Sequence, residues 1–162
     1  MADKNSIEKL DSIDIKILRT LQKDSSLTTK ELSQRVKLSS TPVFERVKRL
    51  ERDGIIKRYV AVLDMDKINF GFVVYCNVKL QRINNSIANE FTSAVAKIPQ
   101  VTECYNISGE FDYLLKIHAS DMKDYQHFVL NVLGRIESIG NLQSIFVLDT
   151  IKQDIGYQLP EE

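Results

Sequence analysis

Tryptophan is absent from this 162-residue chain, cysteine and histidine occur twice each, proline three times and glycine six. Cys76 and Cys104 lie far apart in apolar, strand-like runs, and His118 and His127 stand at no ligand spacing. Neither a disulfide framework nor a zinc site is expected, and no metal ligand or cofactor is assigned. The two thiols are expected to be buried and reduced, as in a reducing cytoplasm. Long Gly, Pro or Ser tracts are missing and 43% of residues are apolar, so the chain is expected to fold, as one domain or two small ones. No run reaches the roughly 18 apolar residues of a membrane span. Met1 to Glu8 lacks the apolar core of an export signal, so a soluble, cytoplasmic protein without a membrane partner is expected. Net charge is lacking too, with 22 Lys and Arg against 22 Asp and Glu. Taken alone, that balance argues against a polyanionic partner.

The balance conceals a division. Through residue 60, 14 Lys and Arg stand against 9 Asp and Glu, and the remainder carries 8 against 13, so a basic module precedes an acidic one. Leu10-Asp11-Ser12-Ile13-Asp14 opens a helix that Asp11 or Ser12 caps, with Ile13, Ile17, Leu18 and Leu21 along one stripe. Lys23 to Ser26 break it. Thr28-Thr29-Lys30-Glu31 is a capping box for a short second helix that buries Leu32 and Val36. Only Lys37 and Leu38 remain before a third helix, for which Ser39 to Thr41 offer capping hydroxyls and Pro42 suits the first turn. Two helices joined so tightly cross steeply, which is a helix-turn-helix.

In that third helix Val43, Val47 and Leu50 recur at i, i+4 and i+7 as a buried stripe, and Gly54 stops it. A helix projecting from a three-helix core fits the major groove of B-DNA. The candidate DNA-binding set is therefore Ser39, Ser40, Thr41, Phe44, Glu45, Arg46, Lys48, Arg49 and Arg52. Ser40, Thr41, Phe44, Glu45 and Lys48 would meet bases or the groove wall, while Arg46, Arg49, Arg52, Lys57 and Arg58 would meet phosphates. Arg46 borders the buried stripe, so a second role is open for it: an intramolecular pair with a carboxylate such as Asp14.

Ile55 to Leu63 reads as a strand leaving this module, and Asp64 to Lys67 as a polar break. The expected division is a helix-turn-helix domain over 1–60, a strand and linker over 61–70, and a second domain over 71–162. The second domain reads strand, helix, strand, strand, helix, strand. Phe72 to Leu80 alternate, Asn84 to Ser86 cap a helix that Pro99 stops, and Val101–Ile107 and Phe111–His118 flank a Ser108-Gly109-Glu110 turn. Ser120 or Asp121 caps a helix bearing Tyr125, Phe128, Val129, Val132, Leu133 and Ile136, and Ser144 to Ile151 supply a last strand. That order is the βαββαβ ferredoxin-like sandwich, so the fold class is α+β. Its helix-free sheet face is expected to carry Tyr75, Leu114 and Phe146, and an apolar face of that extent calls for a second copy.

The residues resemble the Lrp/AsnC (feast/famine) transcription regulators over nearly the whole chain, from Leu10 to about Gln153. The likeness rests on Leu10-Asp11 with Asp14 and Ile17-Leu18, on Leu38-Ser39 leading to Arg46-Val47-Lys48-Arg49-Leu50-Glu51 and Gly54-Ile55-Ile56, and on Glu103-Cys104 followed by Ser108 to Lys116. It implies a winged-type helix-turn-helix, a strand linker, and a C-terminal domain that dimerises through its sheet, assembles into octamers of four dimers and binds amino-acid effectors between domains. Carried over, the effector set is Asn106, Gly109, Asp112, Met122, Ile145, Phe146 and Val147. Backbone N–H groups around a Gly turn suit a carboxylate and Asp112 suits an α-ammonium. Other roles stand beside these: Asp112 satisfying turn amides, Met122 filling the core, Ile145 and Phe146 forming interface. Glu110 departs from the Asp common in close relatives, and Ile145-Phe146 is bulkier than their Tyr-containing version. The expected function is sequence-specific, effector-responsive regulation of transcription at the nucleoid, without catalytic residues. Architectural DNA wrapping is an alternative, as is decarboxylation of a tetrapyrrole on the same scaffold.

Overall fold

Asp11 and Asp14 set the start of the first helix, α1 (Ser12–Lys23): the Asp11 carboxylate accepts the Asp14 backbone N–H at 2.8 Å, and Asp14 accepts that of Asp11 at 3.3 Å. This reciprocal cap satisfies two of the donors a helix start leaves without partners. The computed structural model describes residues 10–153, 156, 157 and 159, and they fall into two units. The first runs to Val62 and includes the described residues from Lys152 onward; the second is Leu63–Ile151.

Within the first unit, α2 (Thr29–Val36) begins at the expected box, Thr28 Oγ1 accepting from Glu31 N at 3.3 Å and Glu31 Oε2 from Thr28 N at 2.8 Å. It ends at Lys37, whose φ of 60° turns the chain left-handed while the Leu38 N–H reaches the Ser33 carbonyl at 3.0 Å. The next helix, α3 (Ser40–Arg52), follows at once. Ser39 holds the cap position but its hydroxyl makes no capping bond, contrary to expectation; Ser40 Oγ instead lies 3.2 Å from Ser33 Oγ. Gly54, at φ +72°, lets the chain double back so that the Ile55 and Ile56 N–H groups both reach the Leu50 carbonyl. Ile17, Leu18, Leu32, Val36, Val43 and Leu50 close the core, each burial contributing about 2 kcal/mol.

Beyond Ile56 the expected strand is not formed. Lys57 to Leu63 lack a ladder, because no described residue takes their backbone groups as a neighbouring strand would. The tail, assigned above to the second domain, groups with the first unit. Leu159 packs on the helical core, and its carbonyl accepts from Arg19 Nη2 at 2.8 Å.

The second unit is an antiparallel sheet in the order β2-β3-β1-β4, built from β1 (Phe72–Leu80), β2 (Val101–Asn106), β3 (Tyr113–Ala119) and β4 (Ile139–Phe146). Two helices, α4 (Asn85–Val95) and α5 (Met122–Asn131), cover one face. Asn84 caps α4 and Asp121 caps α5 through their side chains. Val74, Cys76, Val78, Leu80, Leu115 and Ile117 point to the helices and meet Phe91, Val95, Tyr125 and Phe128.

Three expectations change here. The last strand is Ile139–Phe146, since its partner β1 begins at Phe72 and offers nothing further to pair with past Val147; Leu148 and Ile151 are exposed. Phe146 pairs with inward-facing Val74, so it lies on the helix-covered face, packed against Phe72 and Tyr125 rather than on the open one. Cys76 is buried as expected, but Cys104 is exposed because β2 is the edge strand. The open face carries Tyr75, Leu114 and Ile145, the last 47% exposed.

Candidate nucleic-acid interface and effector loop

Asp14, fully buried at the first turn of α1, decides how the basic residues of α3 are used. Arg46 Nη1 donates to Asp14 Oδ1 at 2.8 Å and to Asp11 Oδ2 at 2.6 Å, and Arg49 Nη2 donates to Asp14 Oδ2. Of the two roles open to Arg46, this fold takes the intramolecular one. Arg49, expected at phosphates, is likewise tied inward, since its position three residues on keeps it over the same carboxylate. The hydrogen bonds that Arg46 donates to Asp11, then to Asp14, raise its pKa above the ordinary value. Burial opposes ionisation of Asp11, yet the Asp14 N–H and Arg46 together hold its carboxyl below the usual range.

The opposite side of α3 is open. Ser39, Ser40, Thr41, Phe44, Glu45, Lys48 and Arg52 are all exposed, and Lys57 and Arg58 follow in the exposed segment. Lys48 Nζ sits 5.8 Å above the Phe44 ring and donates to Glu51 Oε2 at 2.8 Å. Glu51 Oε1 accepts from the Tyr59 hydroxyl at 3.0 Å. Lys48 first, then Tyr59, keep the Glu51 carboxyl below its ordinary pKa, while burial and Glu51 push the Tyr59 phenol up to about 12. Glu51 and Tyr59 were missing from the expected set. The i, i+3 spacing of Lys48 and Glu51 was a signal for one pair, but Tyr59 arrives only through the turn at Gly54.

In the second unit Gly109 has φ +118°, as the turn between β2 and β3 requires. Asp112 Oδ2 accepts the Leu80 N–H at 2.8 Å, and the Asp112 carbonyl accepts from Asn106 Nδ2 at 3.0 Å and from the Ile107 N–H at 3.0 Å. The amide Asp112 satisfies thus belongs to β1, not to its own turn. Lys79 Nζ donates to the Glu110 carbonyl at 2.5 Å. Asn106, Gly109 and Asp112 are together at one end of the sheet. Met122 follows the far end of β3, 51% exposed and outside the core, and Phe146 pairs with Val74 near that same end, with Ile145 and Val147 beside it. The seven-residue β3 separates the two groups by roughly 20 Å. Within one chain the seven residues therefore form two separate groups.

Comparison with known proteins matches both units. Residues 10–57 match the winged helix-turn-helix DNA-binding model and residues 73–157 the Lrp/AsnC ligand binding domain model. The leucine-responsive regulatory protein of Klebsiella pneumoniae is 40% identical over 144 residues, covering 89% of this chain and 88% of that one. Its Escherichia coli K12 counterpart is 39% identical over the same shares. A transcriptional regulator from Neisseria meningitidis, solved as its L-Met complex, superposes with a TM-score of 0.88 at 39% identity, over 92% of this chain and 96% of that one. An AsnC family regulator from Agrobacterium tumefaciens gives 0.87 at 35%, over 92% and 97%. With a DNA-binding helix-turn-helix ahead of a ferredoxin-like sheet and relatives this similar along nearly the full length, the chain belongs to the Lrp/AsnC family of transcriptional regulators.

Proposed function

We propose that this regulator acts as a sheet-paired oligomer that lays α3 in the major groove and responds to an amino acid bound between two chains. The observation that carries the DNA half is the two-sidedness of α3: Arg46 and Arg49 are turned inward to Asp14 while Ser40, Thr41, Phe44, Lys48 and Arg52 stand outward. Lys48, Arg52, Lys57 and Arg58 supply phosphate contacts, and Ser40, Thr41 and Phe44 read base edges. Helix-turn-helix dimers place two recognition helices about one DNA turn apart, so the working unit has at least two copies, and further pairing of dimers into an octamer extends the DNA path. The work is done in the cytoplasm, on the nucleoid. Retardation of the chain's own upstream DNA tests this. Lys48→Ala is expected to weaken binding uniformly and lower the salt slope by about 1, and Phe44→Ala to change sequence preference. Equal affinity for random duplex would overturn specific regulation in favour of architectural wrapping.

The effector half rests on the separation of the two groups at opposite ends of the sheet. Asn106, Gly109 and Asp112 on one chain, completed by Met122, Ile145, Phe146 and Val147 on another, make a pocket with a turn of N–H groups for a carboxylate and Asp112 for an ammonium. The L-Met complex of the Neisseria regulator supports an amino acid as ligand class. Thermal-shift screening of the twenty amino acids is expected to give a stabilisation that vanishes in Asp112→Ala; no shift with any of them would leave a regulator without an amino-acid effector. The relatives are named as transcription regulators, and tetrapyrrole decarboxylation has no observation favouring it.

A further inference from the structure

We propose that Tyr59 is a positioning residue for the DNA-binding face: by sharing the Glu51 carboxylate with Lys48, it loosens the hold of Glu51 on the only lysine of α3. The inference rests on the reading of α3 given above, in which Lys48 meets phosphate. Glu51 divides its two oxygens, Oε1 to the Tyr59 hydroxyl at 3.0 Å and Oε2 to Lys48 Nζ at 2.8 Å. A hydrogen bond donated to a carboxylate draws charge from it, so the oxygen facing Lys48 attracts the ammonium less than it would alone. When a phosphate arrives, Lys48 has to exchange Glu51 for it, and the abandoned carboxylate then stands near a polyanion. The Tyr59 hydroxyl remains as its partner at that moment. Lys48 is more than half exposed, so the exchange needs no opening of the core.

Tyr59 lies in the ladder-free segment after Gly54, and burial together with Glu51 keeps its proton in place. Along one side of α3, Phe44, Lys48, Glu51 and Tyr59 line a cavity of about 240 Å³. The position of Tyr59 is therefore set by the segment leading out of the helix-turn-helix, not by α3. A displacement of that segment that withdraws the phenol returns Glu51 to Lys48 and lowers DNA affinity without altering the recognition helix.

The test uses the full-length protein, its own upstream duplex and fluorescence anisotropy across a salt series, with Lys48→Ala, Tyr59→Phe, Glu51→Gln and the Tyr59→Phe/Glu51→Gln pair. Tyr59→Phe is expected to weaken binding about two- to fivefold, the scale of an exposed ion pair, and Glu51→Gln to tighten it by a similar factor. In the Glu51→Gln background Tyr59→Phe is expected to have no effect, and all differences should shrink as salt rises. An equal loss from Tyr59→Phe in both backgrounds would reduce Tyr59 to packing and overturn the proposal. So would a neutral Tyr59→Phe alongside a weakened Lys48→Ala. If Lys48→Ala itself bound DNA as tightly as the parent, the reading of α3 would fall first.

Discussion

Asp14 is buried and carries charge, a combination that persists only with partners. Arg46 and Arg49 supply them, and the pairing locks α3 against α1 at the angle that leaves Ser40 and Phe44 outward. Asp14→Ala would leave two guanidiniums facing a gap in the core. Both are partly exposed and regain water, so the loss should sit at the low end for a broken buried pair, about 3 kcal/mol by urea denaturation. DNA binding should move differently. Arg46 keeps its bond to Asp11, so one arginine, Arg49, is released toward solvent and is expected to steepen the salt dependence of non-specific binding by about 1 in slope. A variant that lost stability while its salt slope stayed flat would mean that Arg49 finds another carboxylate. The sequence shows Arg46 beside the buried stripe, hence its two open roles. It does not show Arg49 sharing the same carboxylate, because that depends on how α1 crosses α3. The exposure of Cys104 is hidden in the sequence for a related reason: a strand-like apolar run looks alike at the centre and at the edge of a sheet.

The helices were legible because their signals are local. Thr28 and Glu31 lie three residues apart and bond each other whatever the rest of the chain does, and the same holds for Asp11 and Asp14. The Thr28 side chain first, then its N–H, hold the Glu31 carboxyl below its ordinary 4.5. A carboxylate with a lowered folded-state pKa stabilises the fold above its unfolded pKa, and this is lost as pH falls through the folded value. Thr28→Ala should cost about 1 kcal/mol, the usual loss for a missing N-cap side chain. The gap from the parent should narrow between pH 7 and an acid pH below the ordinary 4.5 of Glu31. Denaturant melts at both pH values check this, and a gap independent of pH would assign the loss to the hydroxyl alone. The last strand was not legible in the same way. Ser144 to Ile151 and Ile139 to Phe146 are both plausible strands, and the choice is made by β1, whose nine residues set where pairing starts and ends. Pairing starts at Ile139 opposite Leu80, and the register then shifts by one residue so that Asn141 meets Lys79; that shift reverses the alternation and places Phe146 under the helices and Ile145 on the open face.

At the scale of the whole molecule, the zero net charge and the division into a basic and an acidic half fit a protein that holds DNA with one unit and itself with the other. The open sheet face is where self-association is expected. Leu114 sits there on β3, opposite Tyr105 on β2 and Asn77 on β1, and next along the strand Lys116 bonds Glu103 at 3.0 Å. Leu114 is off the helix-packed core, so a polar side chain at this position faces solvent in one chain and is buried only when a second copy covers it. Leu114→Asp should thus leave each chain folded while placing two unpaired carboxylates near each other in a paired sheet. Light scattering is expected to show the monomer mass, with an unchanged circular dichroism spectrum. Two recognition helices held at fixed spacing bind with an avidity that separate ones lack, so DNA affinity should fall by on the order of 100-fold or more. A monomeric Leu114→Asp that kept the parent's affinity would show that one helix-turn-helix suffices, and a variant that stayed oligomeric would move the interface to another face.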